Sequence, residues 1–136
     1  MRPDATVSVD ASFCGGSRAG AYAVWISHDG GKHLKAARFK KRPRNSTQAE
    51  TWAILNGIAI AQHMGFRNII VNADCKPAMR NAGCSVPEGM TVKFRHVKAH
   101  SGIGQPRKFV NDWCDRNAIR EMRKWRTEIE AAEKSS

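Results

Sequence analysis

Three short strand-like runs near the start restrict the possible folds of this chain more than any other feature. "TVSVDASF" (6–13) puts Val7, Val9, Ala11 and Phe13 on one side and Ser8, Asp10 and Ser12 on the other, the period of a strand with one apolar face. "AYAVWISH" (21–28) and "HLKAARFKK" (33–41) read as two more strands, joined by the Gly-rich "CGGSRAG" and the tight hairpin signal "DGGKH". Short turns allow only antiparallel pairing, so the first third of the chain is a meander.

The pattern then changes period. A helix is expected from about Thr47 to Met64, ended by Gly65, with Glu50, Ile54, Gly57, Ile58 and Ala61 along one face. "NIIVNAD" (68–74) is a continuous apolar run that suits a strand buried on both faces. A short helix follows Pro77, a fifth strand covers "TVKFRHV" (91–97), and a last helix runs from about Phe109 to Glu130. Helical connections after the third strand imply parallel crossovers. The expectation is one α/β domain over 1–136, βββαβαβα, with a mixed five-stranded sheet flanked by helices. Residues from about 127 read as a polar extension.

The formal charge of +11 in 136 residues points to a polyanionic partner. No run of eighteen apolar residues exists and no basic amphipathic helix with a bulky apolar face stands out, so no membrane partner is expected. The first residues lack a secretory h-region, and a cytoplasmic setting is the expectation. Cys14, Cys75, Cys84 and Cys114 form no CxxC pair and are read as reduced thiols, not a disulfide frame or a zinc site.

Four acidic positions carry the chemical interest, and each has a local explanation. Thr47-x-x-Glu50 matches a capping box, in which Glu50 would reach back to the Thr47 N–H. Asp10 lies mid-strand, where Asp is disfavoured; its face is open to water, or it is a carboxylate needing a partner under a helix. Asp74 ends the fourth strand, where an open α/β sheet places ligands, yet it could cap the helix at Pro77. Asp112 and Asp115 share one side of the last helix, where early acids complement the dipole. Brought to one spot, such carboxylates would protonate or bind cations. Oxygen donors without paired His and Cys select a hard ion such as Mg²⁺. Two ions about 3.5–4 Å apart can clamp both oxygens of a phosphodiester undergoing displacement.

"VSVDASF", "NSTQAET", "IIVNAD", "HVKAHSG" and "NDWCDRNA", in this order and context over nearly the whole chain, resemble type 1 ribonuclease H. Each piece alone is weak; five in series are specific. The resemblance implies the ribonuclease H-like fold with strand order 3-2-1-4-5. It also implies hydrolysis of the RNA strand of RNA–DNA hybrids with two Mg²⁺ ions (Mn²⁺ able to substitute), leaving 5′-phosphate and 3′-hydroxyl ends. By motif, Asp10, Glu50, Asp74 and Asp115 would be the metal-binding catalytic set, with Asp112 as fallback for the fourth position. His100 would assist proton transfer or product release without binding metal. Substrate contacts would come from Cys14, Gly15, Arg42, Arg44, Asn45, Ser46 and Thr47. Lys40, Lys41, Arg42 and Arg44 form a basic run that is either a phosphate track or a solvated edge. The implied partner is the hybrid, with no obligate protein partner and a monomeric state.

The chain also departs from the family pattern. Residues 80–90 are too few for the basic protrusion of many bacterial members, Ala99 replaces a usual Gly beside His100, and Cys75 stands where Ser often follows the Asp. No carboxylate is lost. Two rival readings keep the same chemistry in view: a related-fold DNA nuclease resembling a Holliday-junction resolvase, and a non-catalytic nucleic-acid-binding module.

Overall fold

The computed structural model of the chain describes residues 2–97 and 106–135. Its elements are β1 (Ala5–Phe13), β2 (Gly20–His28), β3 (Gly31–Arg38), α1 (Ser46–His63), β4 (Asn68–Ala73), α2 (Lys76–Gly83), β5 (Thr91–His96) and α3 (Pro106–Lys134). One five-stranded sheet runs in the order β3-β2-β1-β4-β5. β2 is antiparallel to β1 and β3, and β4 is parallel to β1 and β5. The sheet order implied by the resemblance is therefore the one observed.

Alternation sorts the sheet into two faces. Val7, Val9, Val24, Ile26, Ile69 and Val71 form the main core with Ala53, Ile54 and Ile58 of α1. Each such aliphatic side chain contributes roughly 1.5–3 kcal/mol when fully buried. α1 approaches closely because Gly57 faces the sheet: a Cβ there would lie 2.8 Å from Val9 Cγ1 and 3.0 Å from Val7 Cγ1. The other face carries small residues under α3. Ala21 packs with Met122 and Ile129, and Ala23 and Trp25 pack with Cys114 and Ala118. Both faces of β1 are thus covered, and the row Ser8–Asp10–Ser12 lies on the α3 side.

Several boundaries differ from the sequence reading for identifiable reasons. β3 starts at Gly31, directly after the Asp29–Gly30 turn, and stops at Arg38. Phe39 turns inward to stack on Tyr22, with ring centroids 5.3 Å apart, and the buried Pro43 has no N–H for a ladder. α1 is capped by Asn45, two residues before the expected Thr47, and ends as anticipated at Gly65, whose φ is +92°. α3 starts at Pro106 and passes Glu130 to reach Lys134. Its last turns are anchored by buried Ile129 and by Glu128, which accepts from both terminal nitrogens of Arg38. Residues 84–90 contain no helix, and no helix among the described residues is long and apolar enough to cross a membrane.

Candidate active site

β1 and β4 are parallel neighbours in the register Ser8↔Asn72, so Asp10 and Asp74 follow in line two residues on. Glu50, in the second turn of α1, reaches the same place. Single carboxylate oxygens of Asp10, Glu50 and Asp74 lie within 4.8 Å of one another. Together with Asp112 and Asp115 of α3 they line a cavity of about 230 Å³. Among the described residues, no Lys or Arg lines that cavity.

The local competitors for these carboxylates are otherwise satisfied. Asn45 Oδ1 accepts the Gln48 N–H at 2.8 Å, and Gln48 Oε1 accepts the Arg44 N–H at 2.8 Å. The expected Thr47–Glu50 capping box is therefore replaced by Asn45 and Gln48, and Glu50 is released toward the sheet. Asp74 caps nothing either, since the N-cap of α2 is Cys75. Asp112 is engaged at 3.1 Å by Lys108, one turn earlier on the same helix. That leaves Asp115 as the acid of α3 whose charge is felt by both Asp10 and Asp74.

The electrostatics follow from burial and like charge. Burial first, then Asp74 and Asp115, pushes the Asp10 carboxyl up to about 7, against a hydrogen bond from the Ala11 N–H at 2.9 Å. Burial, then Asp10 and Asp74, pushes Glu50 up to about 9. The two carboxyls are close enough that each shifts the other. Asp74, on the exposed rim, is raised mainly by burial, with His96 opposing the shift. Glu50 Oε2 is buried without a hydrogen-bond partner, a costly state unless something else supplies positive charge. An all-oxygen donor set with an orphaned carboxylate oxygen fits a hard divalent cation.

Three neighbours were not singled out from sequence. Asn72 is 5% exposed; it donates to Ser8 Oγ at 3.3 Å and accepts from Arg95 Nε at 2.7 Å, tying β1, β4 and β5 beside the cavity. A polar residue inside the apolar run of β4 was the available signal. His96 Nε2 lies 3.1 Å from the Asp74 carbonyl oxygen. Cys114 is buried beneath the acids, and that burial, with Asp10 and Asp115, pushes its thiol up to about 12.

The expected substrate residues sit in two adjoining segments. In the turn after β1, the Cys14 N–H and carbonyl are both used internally, by Ala19 and Arg18, while a Cβ on Gly15 would meet nothing within 4 Å. The Ser17 hydroxyl leads the interactions that lower the Cys14 thiol to about 7. Arg42 Nη1 donates to the Ser17 carbonyl at 3.3 Å, joining this turn to the segment before α1. Arg44, Asn45 and Ser46 are exposed there, with Thr47 half-buried, and the first turn of α1 holds no acid. His100 lies outside the described residues.

This combination of sheet order, helices and acidic cavity defines a ribonuclease H fold. The model of the reverse transcriptase-like family matches residues 8–122, and the chain belongs to that family. Solved structures with the same fold include RNase H1 from the halophilic archaeon Halobacterium salinarum, 17% identical with a TM-score of 0.68 over 88% of this chain and 98% of that one. The N-terminal RNase H domain of a Mycobacterium tuberculosis protein is 13% identical, with a TM-score of 0.66 over 99% of this chain and 100% of that one. LC11-RNase H1, solved in complex with an RNA/DNA hybrid, is 13% identical with a TM-score of 0.66 over 88% and 97% of the two chains. No curated protein matches the chain by sequence.

Proposed function

We propose that this chain is an endonuclease that hydrolyses the RNA strand of RNA–DNA hybrids, needing Mg²⁺ with Mn²⁺ able to substitute, and leaving 5′-phosphate and 3′-hydroxyl ends. The observation that carries the reading is the meeting of Asp10, Glu50 and Asp74 within 4.8 Å, with Asp115 on the cavity wall and no basic side chain among the described lining residues. Membership of the reverse transcriptase-like family and the shared fold support it.

Asp10, Glu50, Asp74 and Asp115 are the residues that would hold two divalent ions. Bound there, such ions would act as Lewis acids on phosphate oxygens and lower the pKa of an attacking water. The protein's own groups supply position and charge. Asp10 is held rigidly by strand pairing and by its bond from the Ala11 N–H. Asp74, on the rim, can accept a hydrogen bond from an entering water. The acid-free start of α1 offers its dipole to a backbone phosphate, and Arg42 and Arg44 flank it. Cys14, Gly15 and the Asn45–Thr47 segment would read the 2′-hydroxyl, the feature that separates RNA from DNA. His100 would assist proton transfer or product release.

The test is cleavage of a labelled hybrid with Mg²⁺ or Mn²⁺, beside single-stranded RNA, duplex DNA and a four-way DNA junction. Cutting confined to the RNA of the hybrid, and abolished by Asp10→Asn, is expected. Unchanged activity in Asp10→Asn, or no hybrid cutting by wild type with either metal, overturns the proposal. Cutting of the DNA junction assigns the chain to the DNA-nuclease reading, and hybrid binding without turnover to a binding module.

A further inference from the structure

A second built surface lies in the groove between β3 and α1, away from the acidic cavity. Its floor is aromatic. Tyr22 and Phe39 stack at 5.3 Å, and Trp52 meets Phe39 edge-on at 5.5 Å and 74°. Tyr22 and Phe39 are buried, whereas Trp52 is half-buried and lines the groove. Around it stand Lys35, Lys40 and Lys41, all exposed.

Packing explains the two buried rings but not their surroundings. No carboxylate is among the described residues that line this groove. The nearby Arg38 is already neutralised by Glu128, while the three lysines make no ion pair with any described residue. Like charges gathered without counter-ions repel, so an anionic partner would relieve them. A polyanion whose units carry flat rings would use both components, cations along the backbone and an indole for stacking. Single-stranded nucleic acid has that chemistry; an intact duplex keeps its bases stacked on each other.

We infer that the Lys35–Lys40–Lys41–Trp52 groove binds single-stranded nucleic acid, separately from hydrolysis in the acidic cavity. The two regions share α1, since Trp52 lies two residues beyond Glu50, and Lys41 leads directly into the Arg42 that bridges to Ser17. The groove would hold the single-stranded flank of a larger substrate. Three lysines neutralising three phosphates give a log–log salt slope of about −2, at about −0.7 per phosphate for single strands.

The test needs no catalysis, so it stands or falls apart from the proposed hydrolysis. Affinities are measured by fluorescence anisotropy in EDTA for a pyrimidine single strand of about 12 nucleotides, an abasic strand of equal charge and a duplex of equal length. Wild type should prefer the base-bearing strand to the abasic one by about 5- to 150-fold, the range for one stacked base. Trp52→Leu should remove that preference, and Lys35→Glu with Lys41→Glu should weaken both strands and flatten the salt slope. Equal binding of the two strands by wild type, tighter binding of the duplex, or a preference that survives Trp52→Leu refutes the inference. Should Trp52→Leu fail to fold, wild type is irradiated with a 5-bromouracil strand and the crosslinks are mapped. Adducts on Phe39 or Trp52 sustain the groove; adducts only in the 14–18 and 42–47 segments overturn it.

Discussion

Replacing Glu50 by Gln should stabilise the protein in the absence of divalent cations, increasingly so as pH rises. The folded-state pKa of Glu50 lies near 9, above its ordinary 4.5, because the side chain is buried beside Asp10 and Asp74. A carboxyl raised in the folded state favours folding below its unfolded pKa, and that contribution is lost as pH climbs toward the folded pKa. Between those values the unfolded chain has released a proton that the folded chain still holds. The cost is about 1.4 kcal/mol per pH unit, or about 4 kcal/mol between pH 5 and pH 8. Glu50→Gln carries no such proton, so the difference between variant and wild type should open by that amount. At roughly 3–6 °C per kcal/mol for a domain of this size, the gap in Tm should widen by about 12–24 °C. Paired thermal melts in EDTA across this range measure it, and the paired difference cancels the groups that do not interact with Glu50. Adding Mg²⁺ at pH 8 should then raise the wild type more than the variant, because a ligand of the folded state stabilises by mass action. A pH-independent difference, or a variant that loses ground as pH rises, would refute the assignment of Glu50 as a buried, charge-stressed carboxyl.

Gly57→Ala should cost about 1–3 kcal/mol by overpacking, since the new methyl would sit 2.8 Å from Val9 Cγ1; chemical denaturation reads this as a lower midpoint with an unchanged m-value. Asn72→Ala should lose about 1–3 kcal/mol by removing the buried amide that joins Ser8 to Arg95, and a variant as stable as wild type would show that this link is dispensable. Among the thiols, Cys14, lowered to about 7, should be alkylated by iodoacetamide well before Cys114, which is 1% exposed and raised to about 12; mass spectrometry over a time course at neutral pH reports the order, and early labelling of Cys114 contradicts the packing of α3 on β1.

The strands were legible because alternation in β1 is strict, β2 is a continuous apolar run, and the turns between them are short. The α1 stripe was legible too: Ile54, Gly57, Ile58 and Ala61 are all buried. The carboxylates were harder, because each admitted a local role that only tertiary contacts could remove. "NSTQAE" holds three residues able to cap a helix and two able to close a capping box, so periodicity could not choose between Thr47–Glu50 and Asn45–Gln48. Burial of Ala49 and Ala53 sets the rotation of α1 and decides it. Asp112 and Asp115 share a helix side, but Lys108 stands four residues before Asp112, and that (i, i+4) pair was readable in advance. The turn at Phe39 and the buried Ile129 were missed for the opposite reason: a lone apolar residue in a polar stretch carries no period.

Charge segregation is what the fold accomplishes. Of the twelve acidic residues in the chain, five line one cavity, although basic residues outnumber acidic ones by 23 to 12. A surface laid out for stability would have interleaved these signs. Here the nearest arrangement of that kind, Lys108 with Asp112, stops at the helix and leaves Asp10, Glu50, Asp74 and Asp115 without a basic partner among the described residues that line the cavity. Clustered like charges of this kind destabilise a small domain, and a protein that keeps them sacrifices stability for the site they form. The basic exterior follows from the same division. A phosphodiester drawn to Arg42 and Arg44 would be repelled by an unneutralised acidic cavity a short distance away, so the two regions can act on one molecule only if positive charge enters the cavity with it. Under the proposed function, that positive charge is a divalent ion held among Asp10, Glu50, Asp74 and Asp115.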